Sequence, residues 1–158
     1  MAVGKFAEGA KNEWYYFDQA GKAVTGLQKI GQQTLYFDQN GKQVKGQLVT
    51  LADKSIRYFD ANSGEMASNK FVEGAKNEWY YFDQAGKAVT GLQQIGQQTL
   101  YFDQNGKQVK GKIVYVNDAN RYFDANSGEM ARNKWIQLED GSWMYFDRNG
   151  RGRRFGWN

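Results

Sequence analysis

Residues 34–46 read Thr34-Leu35-Tyr36-Phe37, Asp38-Gln39-Asn40-Gly41, Lys42-Gln43-Val44-Lys45-Gly46. A β-prone run meets an Asp/Asn/Gly turn and leaves through a second run of alternating character, which predicts a β-hairpin. Gly41 can take the positive φ that a short hairpin loop demands, and Asp38 can start the turn. Side chains alternate across a strand, so Tyr36 and Phe37 face opposite ways. The Phe is the expected inner residue, because the Tyr carries a hydroxyl that needs a partner.

The same phrase returns along the chain. Phe-Asp pairs stand at Phe17-Asp18, Phe37-Asp38, Phe59-Asp60, Phe82-Asp83, Phe102-Asp103, Phe123-Asp124 and Phe146-Asp147, spaced by 20, 22, 23, 20, 21 and 23 residues. A longer period of 65 residues overlies this one: Phe6–Gly46 recurs as Phe71–Gly111 with changes only at Ala7/Val72 and Lys29/Gln94. One two-stranded hairpin is marginal in water, so neighbouring hairpins must cover its apolar face. The expected fold is all-β, a β-solenoid of about seven short repeats of 20–23 residues. The expected organisation is one repeat module over 1–158, with long repeats at 6–70 and 71–134 and a partial, capping repeat at 135–158.

Composition agrees with open, ring-rich surfaces. Aromatic residues make up 16% of the chain, with 19 Gly and no Pro, so turns fall to Gly with Asn, Asp or Ser. There is no Cys and no His, which removes disulfides, thiolate chemistry, the usual general base and the commonest metal ligand. No run of about 18 apolar residues exists, so no membrane insertion is expected. No signal peptide precedes the patterned sequence, and Met1 is read as the start of an expressed fragment of a longer protein. The net charge of +4 gathers in Arg148, Arg151, Arg153 and Arg154. That tail suits a solvated end, an anionic wall polymer or nucleic acid, but a nucleic acid needs a continuous basic path that is missing here.

The recurring Asp invites a glycosidase reading, yet a glycosidase needs two carboxylates of unequal pKa, and turn geometry already explains an Asp in every unit. Asp38-Gln39-Asn40-Gly41 lacks the further carboxylates of a calcium loop. Neither a metal nor a cofactor is expected. The stronger signal is aromatic. Trp14-Tyr15-Tyr16-Phe17 and Trp79-Tyr80-Tyr81-Phe82 are denser in rings than a hairpin core requires. Flat rings suit the C–H faces of pyranose sugars, while amide and ammonium groups answer the hydroxyls. Gln43 and Lys45, like Gln108 and Lys110, lie two residues apart and so share a strand face. Such a pair beside a Tyr of an adjoining hairpin makes a shallow sugar site; solvent-facing alternation alone would also produce it.

Trp14-Tyr15-Tyr16-Phe17-Asp18, Tyr36-Phe37-Asp38-Gln39-Asn40-Gly41-Lys42 and Arg57-Tyr58-Phe59-Asp60-Ala61-Asn62-Ser63-Gly64 resemble the cell-wall-binding or glucan-binding repeats of Gram-positive bacteria. The likeness runs from about Lys11 to Gly152 and is nearest to the carboxy-terminal repeats of streptococcal glucansucrases, secreted enzymes that make α-glucans from sucrose. The resemblance implies a Gln-x-Lys element with a stacking Tyr: Gln43 and Lys45 with Tyr58, and Gln108 and Lys110 with Tyr122. Tyr36, Tyr101, Trp14 and Trp79 offer further rings. Choline-binding cousins resemble an aromatic cage with a Trp just after the Gly that opens a hairpin. Counted so, the slots here are Leu27, Gln47, Lys70, Leu92, Lys112 and Lys134, none of them aromatic, and Trp135 falls one residue beyond on the opposite face.

The resemblance thus implies a non-catalytic module that binds extracellular α-glucan such as dextran, with no catalytic barrel of its own. The module is expected on a secreted glucosyltransferase, at the cell surface or in the glucan matrix, with the catalytic part of its own parent chain as a further expected partner. The alternatives are attachment to choline-bearing or anionic wall polymers, and a rigid spacer.

Overall fold

The computed structural model describes residues 3–155; Met1, read above as a fragment's start, lies outside them. No helix occurs among the described residues, and the chain forms short antiparallel hairpins. β1 (Lys5–Glu8) pairs with β2 (Trp14–Phe17), β3 (Gly26–Ile30) with β4 (Gln33–Phe37), and β5 (Gln47–Thr50) with β6 (Ile56–Phe59). β7 (Lys70–Glu73) pairs with β8 (Trp79–Phe82), β9 (Gly91–Ile95) with β10 (Gln98–Phe102), and β11 (Lys112–Val116) with β12 (Ala119–Phe123). β13 (Lys134–Gln137), β14 (Trp143–Phe146) and β15 (Gly152–Phe155) form a three-stranded sheet. The fold is the all-β stack of hairpins expected from the sequence.

The turn after each Phe is closed by its Asp. At Asp38 the carboxylate accepts N–H bonds from Asn40 (2.8 Å) and Lys42 (3.0 Å), while the Asp38 carbonyl accepts from Gly41 (2.9 Å). Gly41 has φ +85°, a conformation that disfavours any side chain. The Asp is thereby spent on its own loop.

The chain divides into two compact units: one runs to Asn77 and includes Tyr81–Ala88, the other comprises Glu78–Tyr80 and the residues from Val89 onward. In the first, each hairpin is tied to its predecessor by the residue that follows its turn. Gln43 N donates to Trp14 O (2.7 Å), Met66 N to Thr34 O (2.9 Å) and Ala88 N to Ile56 O (2.9 Å). Phe37, Phe59 and Phe82 are fully buried, and Phe17 is half-buried. Tyr36 stacks on Phe59 (5.5 Å between centroids) and Tyr58 lies against Phe82 (6.5 Å), so the Tyr rings pack between hairpins. In the second unit Gln108 N donates to Trp79 O and Met130 N to Thr99 O, both at 2.8 Å. Phe102, Phe123 and Phe146 are fully buried, with Tyr101 against Phe123 and Tyr122 against Phe146. The inner role expected for Phe holds at these six positions.

Among the described residues of the first unit, successive turns meet three different kinds of side chain on the preceding hairpin. A Cβ placed on Gly41 would lie 3.1 Å from Ala23 Cβ and 3.2 Å from Tyr15 Cδ2. One on Gly64 would run into the Gln43 amide, and one on Gly86 would lie 2.5 Å from Met66 Cε. Beside Met66 sits Arg57, only 8% exposed, whose Nη1 donates to Ala85 O (2.8 Å) and whose Nε donates to Ser55 Oγ (3.1 Å). In the second unit Gln108 meets Gly128, and Met130 with buried Arg121 meets the Gly150 turn, where Nη1 donates to Asn149 O (2.7 Å).

The register corrects one expectation. Leu27 pairs with Tyr36 and Leu92 with Tyr101, as counted, but Leu48 pairs with Tyr58, Ile113 with Tyr122 and Trp135 with Tyr145. Phe71 meets Tyr81 at 4.8 Å. The slots assigned to Gln47, Lys70, Lys112 and Lys134 thus belong to Leu48, Phe71, Ile113 and Trp135, and Trp135 does not point to the opposite face. Left-handed residues set the difference. Gly26 is itself the first paired residue of its strand, whereas Gly46, Asn69, Gly111 and Asn133 stand one residue before theirs.

Candidate functional site

Three successive hairpins build a groove in the first unit. The first supplies Trp14, a half-buried ring on β2 opposite Glu8. The second supplies Gln43 and Lys45, pinned in place because Gln43 N bonds to the Trp14 carbonyl. The third supplies the turn Ala61-Asn62-Ser63-Gly64, whose Ser63 carbonyl accepts from Gln43 Nε2 (3.5 Å). Gly64 lets this turn approach: a Cβ there would also lie 3.3 Å from Lys45 Cγ. Trp14, Lys45, Asn12, Ala61 and Asn62 line a cavity of about 450 Å³. Asn12 adopts φ +65° and donates its N–H to Glu8 Oε2 (2.8 Å), which fixes that wall.

The arrangement recurs in the second unit. Gln108 Nε2 donates to Ser127 O (3.3 Å), a Cβ on Gly128 would meet Gln108 and Lys110, and Lys110 Nζ stands 6.0 Å above the Trp79 ring. Two lysines near each Trp divide their roles. Lys42 Nζ pairs with Glu13 (3.0 Å) and Lys107 Nζ with Glu78 (3.2 Å), and these carboxylates raise both lysines above the ordinary value. Lys45 and Lys110 form no ion pair among the described residues; Lys45 lines the cavity and Lys110 stands over the Trp79 ring.

The expected Tyr partners lie elsewhere in the site. Tyr58 lines a cavity of about 400 Å³ with Asp60, Ser63, Glu65, Met66 and Phe71 among its walls. Ser63 belongs to both places: its carbonyl holds Gln43, and its residue walls the Tyr58 cavity. Tyr122 lines two cavities, of about 210 and 590 Å³. Tyr36 and Tyr101 lie against the Phe of the following hairpin, with one ring face taken up. Sequence reasoning missed Asn12, Asn62 and the Ala-Asn-Ser-Gly turns as a third wall. The signal was present, since each Gln-x-Lys is followed by a unit carrying that turn.

Among the described residues, the carboxylates displaced from their ordinary value all move downward. Asp60 and Asp124 are held below the usual carboxylate range chiefly by N–H groups of Ser63 and Asn62, and of Ser127 and Asn126. Asp53 and Asp140 are lowered by Ser55 and Ser142, and Asp147 by the Arg151 N–H. A general acid needs the opposite shift. Among the described residues no cluster of three or more acids or other ligand side chains could hold a metal. The site offers rings, amides, ammonium groups and carbonyls, the equipment for binding.

A model of the choline-binding repeat matches residues 24–71 and 89–135, and one of a putative cell wall binding repeat matches 10–23, 69–88 and 133–151. The chain is 47% identical over 150 residues to Glucosyltransferase-S of Streptococcus mutans, covering 95% of this chain and 10% of that one. It is 39% identical over 146 residues to Glucosyltransferase-I of Streptococcus downei, covering 92% and 9%. The chain thus spans about a tenth of the curated relatives it matches. Among solved structures, the modular autolysin LytC of Streptococcus pneumoniae superposes with a TM-score of 0.83 at 20% identity, over 99% of this chain and 35% of that one. Choline binding protein F of the same organism gives 0.72 at 27% identity, over 94% and 47%.

Proposed function

Because the chain belongs to the family of choline-binding and cell-wall-binding repeats and carries repeats without a catalytic domain, we propose that it is a non-catalytic module that binds α-glucan outside the cell. The observation that carries this reading is the doubled groove, Trp14 with Gln43 and Lys45, and Trp79 with Gln108 and Lys110. A glucose ring laid on the indole places its hydroxyls toward an ammonium group and an amide, and its C–H face on the ring. Tyr58 and Tyr122 stand across the Ser63 and Ser127 peptides and serve the neighbouring glucose unit. The glucosyltransferase relatives support a glucan as ligand and a place on a larger enzyme, near or attached to its product.

Calorimetric titration with high-mass dextran and isomaltotriose tests the proposal. Saturable binding is expected, with loss of at least tenfold in affinity per groove on Trp14→Ala or Gln43→Ala, and a smaller loss on Tyr58→Ala. Dextran binding that persists in the Trp14→Ala/Trp79→Ala double variant would remove the grooves from the account. No saturable binding by the folded parent would remove the function.

The corrected register favours a second reading. Tyr58 and Phe71 flank a cavity that also holds Met66, Asp60 and Glu65. Rings beside carboxylates suit a quaternary ammonium. Choline in the same titration decides it: saturable binding lost on Phe71→Ala would make this a wall-attachment site.

A further inference from the structure

The three-stranded sheet at the C-terminal end differs from the hairpins it otherwise copies. Register and alternation put Trp135, Gln137, Trp143, Tyr145, Arg153 and Phe155 on one face. Met144 and Phe146 on the other face are buried. The first face is open: Trp135 is 51%, Trp143 44% and Phe155 49% exposed, although Trp135 touches both Tyr145 (5.2 Å) and Phe155 (5.1 Å). Trp135, Tyr145 and Phe155 thus share one aromatic floor, and Arg153 is the cross-strand partner of Tyr145.

The equivalent face of β1–β2 carries Phe6, Glu8, Trp14 and Tyr16, and the residues at the same sequence positions of the next long repeat are Phe71, Glu73, Trp79 and Tyr81. The acids there, Glu8 and Glu73, become Gln137. Glu13 and Glu78, the acids just before Trp14 and Trp79, become Ser142 before Trp143. Gln137 spends its amide on Gly141 O (3.3 Å) and so keeps the turn-holding role without the charge. The third strand then adds Arg153. Among the nearby charges Asp140 is engaged by Arg154 (3.5 Å) and Ser142 (2.6 Å), and Glu139 lies in the adjoining turn. One carboxylate is therefore withdrawn from this face, where ring area is greatest, and one guanidinium installed, while Glu139 and Asp140 enter the turn at the places of Ala10 and Lys11. A cage for a quaternary ammonium would want the reverse, since Arg153 repels a cation.

We infer that this face is a separate binding surface for an acidic polysaccharide, one whose pyranose rings carry carboxylates. The rings require a flat sugar to stack on, which a polyol phosphate does not offer. The guanidinium supplies a planar pair of donors that matches a carboxylate. The surface shares no side chain with the Trp–Gln–Lys grooves, so it stands or falls independently of the α-glucan reading.

The test is titration of the full chain with size-defined polygalacturonate, with dextran and inorganic polyphosphate run in parallel and sedimentation of the free chain. Polygalacturonate is expected to bind saturably and more weakly as salt rises. Affinity should fall at least tenfold in Arg153→Gln and in Trp135→Ala, fall less in Arg153→Lys, and stay unchanged in Gln43→Ala/Gln108→Ala. Circular dichroism confirms that each variant is folded. The inference is overturned by absent polygalacturonate binding, by binding indifferent to Arg153→Gln, or by polyphosphate binding as tightly. Self-association of the free chain that Trp135→Ala abolishes would assign the face to a second copy and overturn it equally.

Discussion

Asp60 accepts hydrogen bonds from the N–H groups of Asn62 and Ser63, both at 2.8 Å, and Asp124 repeats this with Asn126 and Ser127. A carboxyl held below its ordinary value lends stability that is present above the unfolded pKa and lost as pH falls through the folded one. The thermal midpoint is therefore expected to hold at neutral pH and to drop as pH descends below about 4, the ordinary Asp value. Asp60→Asn and Asp124→Asn should flatten that acid limb in a melting series; an unchanged limb would place the acid sensitivity elsewhere. Gly64 has two constraints at once, φ +76° and contact with Gln43 and Lys45. Gly64→Ala should destabilise by about 1–2 kcal/mol in urea unfolding, from the left-handed backbone alone, and should also weaken dextran binding by displacing Gln43. The first constraint was legible, because a turn glycine is a local matter. The second was not, because its cause lies some twenty residues away in sequence.

At the level of the hairpin, burial is concentrated in one Phe per unit, so Phe59→Ala should cost about 3–5 kcal/mol by chemical denaturation. Arg57 has a different role: a buried guanidinium with no ion pair among the described residues, held by the Ala85 carbonyl and linked through Ser55 to Asp53. Arg57→Ala should destabilise by about 2–3 kcal/mol, since it removes the guanidinium's bond to the Ala85 carbonyl and opens a void beneath it. A near-neutral result would show that water reaches the site. Hairpins were legible because the period-2 pattern and the turns both declare them. The register was misread at Gln47, Lys70, Lys112 and Lys134, because it depends on whether the left-handed residue sits inside the strand, as Gly26 does, or before it, as Gly46 and Asn69 do. A glycine looks the same in sequence in either place. The burial of Arg57 and Arg121 was not legible for a related reason: only the packed neighbour supplies the carbonyls that make it tolerable.

For the molecule as a whole, two copies of one groove on one chain predict a ligand-length effect. High-mass dextran should bind about 10²–10⁴-fold more tightly than isomaltotriose, as joined weak sites gain effective concentration. Gln108→Ala should remove most of that advantage while leaving trisaccharide binding at the other groove intact; equal affinities for both ligands would mean that the grooves act singly. The all-β stack and the Gln-x-Lys pairs were legible because repetition displays them. The third wall was not, since no single unit contains a whole groove. The three kinds of hairpin contact also bear on how such a gene changes. Gln43 fits the turn that ends in Gly64, and Arg57 with Met66 fits the turn that ends in Gly86, so the order of hairpins is part of the fit. An unequal crossover that gains or loses one hairpin sets mismatched neighbours together, whereas one that exchanges three regenerates every junction. Inheritable length variants should accordingly come in steps of three hairpins, the reading frame of recombination being set by the shape of a turn.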